Sequence, residues 1–559
     1  MKYYQYPCGC KFKILQQLED GELRLEFDPH VASIDLKCER TWDLISEGNT
    51  KGVFQLESRL GQSYAKKLKP RNIEHLAALV SILRPGCLEA IRDKKSITQH
   101  YIDRKNKEES VELYHPALQD ALGPTYGEMI YQEQAMKIAQ DIAGFNLQEA
   151  DVLRKAIGKK KADIMSSLKS KFIDGCKVVG KVNEEQAEEI FGWIQKSQRY
   201  SFNKSHAVSY AINAYVSAYA KAHFPRIFIT SYLYYAKEKQ KPQEEIRELV
   251  NNANAMDIDV YPPDFRHLNK HFIMKDKNIY FGFTDIKGVG EAVVNKMADD
   301  IDTEKIRIDK LTWTGFLIFL SQKINSTAVK ALISAGALDY MSQSRTRMLY
   351  EYEIYSRLSN REVQWVNSRY YEAQLDVRSP DSPVTEKWIG IQGILTAMIA
   401  LPAGRQGACS NKNRLRIVEG LLESVNNPPY VLEDNPEWTS QIEASLLGIP
   451  LTCTSVEGLD VSTANCTCRE FVHGKSGLCL IAVAIDEVHE IKTKKGKNPG
   501  QKMAFVRVSD ISAALESVVA FPEPWKENKK LLVAGNNVII SGERGSEKDS
   551  FILDKVWQI

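Results

Sequence analysis

Between Thr41 and about Ala236, apolar residues return at every third or fourth position; over roughly the last ninety residues they return at every second. This change of period constrains the fold more than any other feature, because a 3.6-residue repeat buries one face of a helix and a two-residue repeat one face of a strand. The stretches "IEHLAALVSIL", "QAMKIAQDIAGF" and "QAEEIFGWI" carry the helical repeat. "LRPG" at Leu83 to Gly86, "LGPTYG" at Leu122 to Gly127 and "FPRIF" at Phe224 to Phe228 supply Pro and Gly where helices stop. At the far end, "GLCLIAVAI", "QKMAFVRVSD", "ESVVAFP" and "NNVIISGE" are short strands parted by Gly, Asn and Lys, the pattern of a small barrel or sandwich. Between these regions, "DIDVYPPDF" at 257 to 265 reads as a short strand and an irregular turn at a domain edge. "IYFGFTDIKGVGEAVVNKM" reads as a β-like run, a Gly-x-Gly turn and a helix, and a second unit of related shape ends at "VKALISAGALDYM". Residues 346 to about 440 show no clear period, and "IALPAGRQGACSNKNRL" reads as an exposed loop. No long-period repeat occurs.

A chain of 559 residues with 43% hydrophobic and 26% charged residues can bury several cores, and its length predicts about three or four domains. No uninterrupted apolar run approaches about eighteen residues, and "MKYYQYPCGCKFK" lacks the apolar heart of a secretory signal, so a soluble, cytoplasmic protein without membrane partners is expected. Ten cysteines spread over this length predict reduced thiols or a local metal site rather than a disulfide framework. The net charge of +2 says little, but Arg154 to Lys171 carries seven cations and one acid. Such a run is either an anion-binding surface or a solvated helix face.

"YSFNKSHAVSYA" at 200 to 211 sets an amide, an ammonium, a hydroxyl and an imidazole in four consecutive positions before an apolar helical run. Cations, short polar side chains and a helix N-terminus together suit a phosphate-rich anion. Taken alone, the stretch reads as an N-cap with a satisfied histidine, since Asn and Ser are preferred caps. It does not stand alone. In order, the chain shows "GVFQLESR" at 52 to 59, "LRPG" at 83, "PTYGEMIYQEQ" at 124 to 134, "AGFNLQEADVLRKAIGKKK" at 143 to 161, and "YSFNKSHAVSYA". This ordered set resembles the fingers region of the family C DNA polymerases, the bacterial polymerase III alpha subunits, densely over residues 41 to about 345. "DVYPPDF" resembles the family's proline-proline-aspartate junction and "DIKGVGEAVVNKM" its helix-hairpin-helix segment. The terminal β region is similar to its OB fold, with "TKKGKNPGQKMAFVRVSD" at the expected hairpin.

The resemblance implies a multidomain chain: a short N-terminal segment (1–40), mostly α-helical polymerase fingers (41–265), a tandem helix-hairpin-helix domain (266–345), a variable connector (346–465) and a small β-barrel of OB type (466–559). It implies that Arg154, Lys155, Lys159, Lys160, Lys161, Lys204 and His206 neutralise the triphosphate of an incoming deoxynucleotide, with Asn203 and Ser205 orienting the helix. At Lys287, Gly288, Val289 and Gly290 it implies backbone amides close to a duplex phosphate, a grip blind to sequence. For the barrel it implies a single-strand groove with Lys492, Lys494, Lys495, Lys497 and the stacking ring of Phe505; the other reading puts Phe505 in the core and the lysines in a solvated loop.

Polymerase chemistry needs carboxylates that hold two divalent metals. The family carries three aspartates in a palm that precedes the fingers, and only about forty residues precede "TWDLISEGNTKGVFQLES" here. Asp28 in "LEFDPHV" lies too close to "GVFQLES" for the family's third aspartate, and Asp257 and Asp259 belong to the junction, so magnesium is expected on a separate palm-bearing chain. "YPCGCKF" with Cys8 and Cys10, and then Cys38, offers half of a zinc site, and buried free thiols are the favoured reading. Cys466, Cys468, His473 and Cys479 in "NCTCREFVHGKSGLC" are the better metal candidate, in a spacing that matches no common pattern. No Gln-led sliding-clamp peptide stands out in 346 to 465. The leading expectation is a split polymerase providing fingers and DNA grip; next comes a non-catalytic DNA-binding relative, and last an enzyme built on a cysteine metal site.

Overall fold

The computed structural model describes residues 2–17, 23–159, 162–197, 201–303, 308, 311–376, 390–493, 499–545 and 550–559, with side chains left aside at 157–159, 162–165 and 370–376. The chain divides into two compact units, Met1–Ile229 and Thr230–Ile559. No described helix is long and apolar enough to cross a membrane.

The first unit holds two cores. One is centred on the helices Ile73–Ile82 and Lys204–His223. From Leu76 to Ile82 every residue of the shorter helix is buried. Its partner presents Ala207, Ala211, Ala214, Ala218 and Ala222, a fully or nearly fully buried row at three- and four-residue spacing that lets the two backbones approach closely. The N-terminal strands Tyr3–Gln5, Lys11–Gln17 and Leu23–Leu25 form an antiparallel sheet. Residues 1–40, which motif reasoning left without a role, feed Cys10, Phe12, Ile34 and Cys38 into this core. The other core joins the helices Gln132–Ala143, Leu147–Lys159, Ala162–Val179 and Glu184–Ser197 around Phe145, Phe172 and Phe191. A Cβ at Gly175 would meet the Ala143 carbonyl oxygen at 2.1 Å, so this helix crossing requires glycine.

Asparagine and serine set many helix starts. Ser58, Asn72, Ser96, Asn203, Asn325, Ser344, Asn411 and Asn435 each accept an N–H of the first turn.

In the second unit, strands Val260–Tyr261, Ile273–Lys275 and Asn278–Tyr280 form a small sheet ahead of the helix Glu291–Thr303. The 346–440 region, aperiodic in sequence, is largely helical: Arg345–Tyr355, Asn360–Asp376, Gly390–Ile399, Lys412–Asn426 and Pro436–Leu447. Its period is obscure because Arg345, Glu362 and Glu443 are buried polar residues paired inside it. The Arg345 guanidinium meets Glu443 at 2.7 Å and Asp339 at 2.6 Å, and Arg414 binds Glu362. The loop 400–411 keeps Ala408 and Cys409 buried.

The chain ends in a closed five-stranded barrel of Cys479–Lys492, Lys502–Ser509, Ala514–Ala520, Asn537–Arg544 and Phe551–Gln558. The order around the barrel is second, third, fifth, fourth, first. The third and fifth strands pair in parallel through Val518 and Phe551 and Val519 and Ile552, and every other neighbour pair is antiparallel. This is the OB arrangement the terminal strands predict. The long first strand alternates inward and outward along most of its length, so it can pair with both the second and the fourth.

Candidate nucleotide and DNA interface

Four of the five ordered motif segments meet at the N-terminus of the Lys204–His223 helix. Phe202 N–H donates to the Ile130 carbonyl and Gln132 N–H to the Phe202 carbonyl, each at 2.9 Å, pinning "YSFNKSH" to "GEMIYQEQ". Rings then follow one helix face at four-residue spacing: Phe202 to His206 at 5.3 Å, and His206 to Tyr210 at 4.1 Å. Tyr210 meets Phe54 of "GVFQLESR" at 5.2 Å. The Arg84 guanidinium of "LRPG" lies 3.4 Å from the centre of the Phe202 ring, and the Lys204 ammonium lies 5.8 Å from that of Tyr131. Cations held over ring faces keep their charge and lose mobility, which suits them to receive an anion. Arg84, Ser205 and His206 are exposed.

Asn203 caps the helix, accepting His206 N–H at 2.9 Å and the Ser205 hydroxyl at 2.8 Å. The Glu133 carboxylate completes the cap: Asn203 Nδ2 and Lys204 N–H each donate to it at 2.9 Å. A carboxylate thus already occupies part of the anion site that the helix N-terminus offers.

Arg154 and Lys155 lie on the Leu147–Lys159 helix, over the other core, and share one acid. Asp151 accepts from Lys155 at 2.7 Å and from Arg154 Nε at 2.9 Å. These two cations hold the Asp151 carboxyl below the usual carboxylate range. No contact joins this trio to the Asn203 cap among the described residues. The side chain of Lys159, and Lys160 and Lys161 altogether, lie outside the described residues.

In the second unit, Lys287, Gly288 and Gly290 are exposed while Val289 is buried, anchoring the turn. Gly288 takes φ +96°, where only glycine is unstrained, and a Cβ at Gly290 would meet nothing. Val289 N–H closes the turn on the Ile286 carbonyl at 3.0 Å. On the barrel, Phe505 is 38% exposed and points outward from the second strand, and Lys492 is exposed beside Lys502 in the ladder. Lys494, Lys495 and Lys497 fall outside the described residues.

Cys466, Cys468, His473 and Cys479 do not assemble into a metal set. The three thiols are buried in the barrel core and His473 is exposed. Burial pushes the Cys466 thiol up to about 12, with Cys479 beside it, and raises Cys468 well above the thiol range, next to Asp510. Among the described residues, the one group of three or more His, Cys, Asp or Glu with metal-holding geometry is Cys8, Cys10, Cys38 and His223.

The isolated aspartates are likewise engaged. Asp28 accepts His30 N–H at 2.9 Å and the Ser33 hydroxyl. Asp257 and Asp259, both exposed, each face the Arg469 guanidinium at 3.8 Å. Asp28 is thus held within its own turn, while Asp257 and Asp259 share one guanidinium.

Sequence reasoning missed Arg84, Tyr131, Tyr210 and Phe54 as neighbours of the site. Their motifs were visible, but only the fold pairs cation with ring.

The chain matches the bacterial DNA polymerase III alpha subunit finger domain over residues 13–180 and the helix-hairpin-helix motif over residues 257–348. It is 31% identical over 546 residues to DNA polymerase III subunit alpha of Aquifex aeolicus, covering 95% of this chain and 40% of that relative. The Thermus aquaticus protein of the same name is 36% identical over 342 residues, covering 60% of this chain and 26% of the relative. That of Staphylococcus aureus strain MSSA476 is 27% identical over 539 residues, covering 95% and 43%. The chain spans less than half the length of each.

Proposed function

We propose that this chain, which belongs to the bacterial DNA polymerase III alpha subunit family, serves as the fingers and DNA-holding portion of a replicative DNA-directed DNA polymerase. In this reading it binds the triphosphate of an incoming deoxynucleotide and the primer-template, while a separate chain carries the palm aspartates and their magnesium. The observation that carries the reading is the ring-and-cation face on the Lys204–His223 helix, where Arg84 from one motif meets the segment that carries Lys204 and His206. Arg84 and Lys204 would neutralise phosphate oxygens, and His206 would donate to one of them. Arg154 and Lys155 would exchange Asp151 for phosphate. The Gly288 hairpin would hold duplex by its backbone amides, and the barrel would hold single-stranded template on Phe505 and the adjoining lysines.

A second reading, a non-catalytic DNA-binding relative, is favoured by Glu133 and Asp151, which already occupy the helix cap and the Arg154–Lys155 pair. Primer extension with magnesium and four deoxynucleotides separates the two, run on the chain alone and then with extract from its source. Activity only with a co-purifying palm-bearing chain supports the first reading; silence in both favours the second. In the reconstituted enzyme, Lys204→Ala and Arg154→Ala should each raise the KM for deoxynucleotide or lower kcat by about tenfold or more, as expected on losing a charged hydrogen bond. Unchanged kinetics in both variants removes the nucleotide assignment.

A further inference from the structure

Cys8 and Cys10 lie in the turn between the first two strands. Gly9, at φ +90°, donates its N–H to the Tyr6 carbonyl at 2.9 Å, and Tyr6 N–H donates to the Cys10 carbonyl at 2.9 Å. This tight Cys-Gly-Cys turn directs two thiols to one place. Cys38 stands at the N-cap of the Glu39–Ser46 helix, yet its side chain makes no capping bond. His223 is the last residue of the Lys204–His223 helix, and its Nε2 lies 3.5 Å from Cys38 Sγ. One donor atom from each of the four residues lies within 4.8 Å of all the others.

Tetrahedral zinc, with bonds of about 2.3 Å to sulfur and 2.0 Å to nitrogen, sets its ligand atoms roughly 3.5–3.8 Å apart. The cluster is thus at or slightly outside ligation distance. His223 is 3% exposed and its Nε2 faces the Cys38 thiol, so the imidazole is buried against the sulfur. Such a group is costly unless something satisfies it. The surroundings are dry and aromatic: the rings of Tyr6, Phe12 and Tyr219 pack on His223 at 4.9, 5.1 and 4.4 Å. The Tyr6 hydroxyl donates to the His223 carbonyl at 2.9 Å, fixing the helix end. Arg40, donating through Nε to the Ala222 carbonyl at 2.8 Å, brings a positive charge beside the cluster. Three thiolates, one neutral imidazole and a divalent ion sum to one negative charge, which Arg40 complements.

We propose that Cys8, Cys10, Cys38 and His223 bind one structural zinc ion. Ligand softness and a three-sulfur, one-nitrogen tetrahedron favour zinc, and four protein ligands leave no open position for catalysis. Binding breaks three S–H bonds, forms three zinc–sulfur bonds and one zinc–nitrogen bond, and releases three protons to solvent. The ion ties the N-terminal hairpin and the Glu39–Ser46 helix to the C-terminal end of the helix whose other end carries Asn203 to His206. The site does not depend on the polymerase reading.

The test is elemental analysis of the full chain purified without chelator. About one zinc per chain is expected, with loss of that zinc in Cys10→Ser and in His223→Ala and full retention in a Cys466→Ser, Cys468→Ser, Cys479→Ser triple variant. Because a ligand variant can misfold, the stripped wild-type chain is also titrated with cobalt(II). Visible d–d bands of tetrahedral cobalt with sulfur charge-transfer absorption, saturating at one equivalent and bleached by zinc, are expected. Folded wild-type chain without zinc and without those bands overturns the proposal, as does one equivalent of iron in place of zinc or zinc that follows the barrel cysteines.

Discussion

Asp285 ends the short turn that leads into the Gly288 hairpin, is 8% exposed, and leaves Oδ2 without a partner. Burial raises its carboxyl to about 7, against the opposing pull of Lys237. Between the unfolded value of 3.8 and about 7 the folded state binds the extra proton, so this residue's contribution to stability falls as pH rises through that window. Asp285→Asn keeps the shape and removes the charge. It should stabilise the chain by ~1–3 kcal/mol at pH 8, with the gap closing toward pH 4. Urea unfolding at both pH values checks this, and a gap independent of pH would refute it. Lys221 works in the opposite direction. It is fully buried and donates to the carbonyls of Asn49 at 2.9 Å and Lys51 at 2.8 Å. Burial, aided by Lys51, lowers its amine to about 7. From about 7 to the unfolded 10.5 the unfolded chain binds more protons, so its contribution rises with pH. Lys221→Met strands the buried Lys51 carbonyl and the part-buried Asn49 carbonyl, at a cost of ~2–4 kcal/mol near pH 8. The same substitution should flatten that rise, measured as the difference between wild-type and variant denaturation midpoints across pH.

At the level of elements, the hairpin separates a backbone requirement from a clearance requirement. Gly288 sits at φ +96°, and Gly288→Ala should cost about 1 kcal/mol through strain alone. Gly290 has open space where a Cβ would stand. Gly290→Ala should therefore leave the melting temperature unchanged while weakening duplex binding severalfold, because the added methyl stands where a phosphate would approach. Fluorescence anisotropy with a short duplex reads the second effect and thermal melting the first; a Gly290→Ala variant with undiminished affinity would show that the turn does not touch DNA. Elements of this kind were legible in the sequence because their signals are local: Gly-x-Gly turns, Asn and Ser caps, and a period of two in the barrel strands. The connector helices were not, since Arg345, Glu362 and Glu443 break the apolar pattern and their ion pairs, Arg345 with Glu443 and Glu362 with Arg414, join residues 98 and 52 positions apart. The thiol cluster was half legible, as Cys8, Cys10 and Cys38, and its histidine escaped for the same reason. Cys8 and Cys10 are near neighbours, but His223 stands 185 residues beyond Cys38, a distance no spacing rule reads. Glu133 and Asp151 were equally hidden: each is an ordinary acid in a quoted motif, and only the fold places it on the cations and amides expected to meet phosphate.

Across the whole molecule, 74 Lys and Arg nearly cancel 72 Asp and Glu. A chain with net charge +2 has no strong overall field to draw DNA from a distance, so binding must come from local patches. Candidate patches in the sequence are the Arg154 to Lys171 run, the Lys287 hairpin and the lysines from Lys492 to Lys497, beside the Arg84 and Lys204 pair. If each neutralises one to a few phosphates, the logarithm of the binding constant should fall with the logarithm of salt concentration with a slope of about −3 to −6. Lys287 isolates one contact. Its side chain is exposed, and its backbone N–H, not its ammonium, makes the 3.0 Å bond to the Leu446 carbonyl. Lys287→Ala should thus leave the melting temperature unchanged and reduce the slope by about one, weakening all duplex sequences alike. Anisotropy titrations of wild type and variant over a salt series measure both quantities. An unchanged slope would move the duplex grip away from the hairpin and leave the remaining patches to account for it.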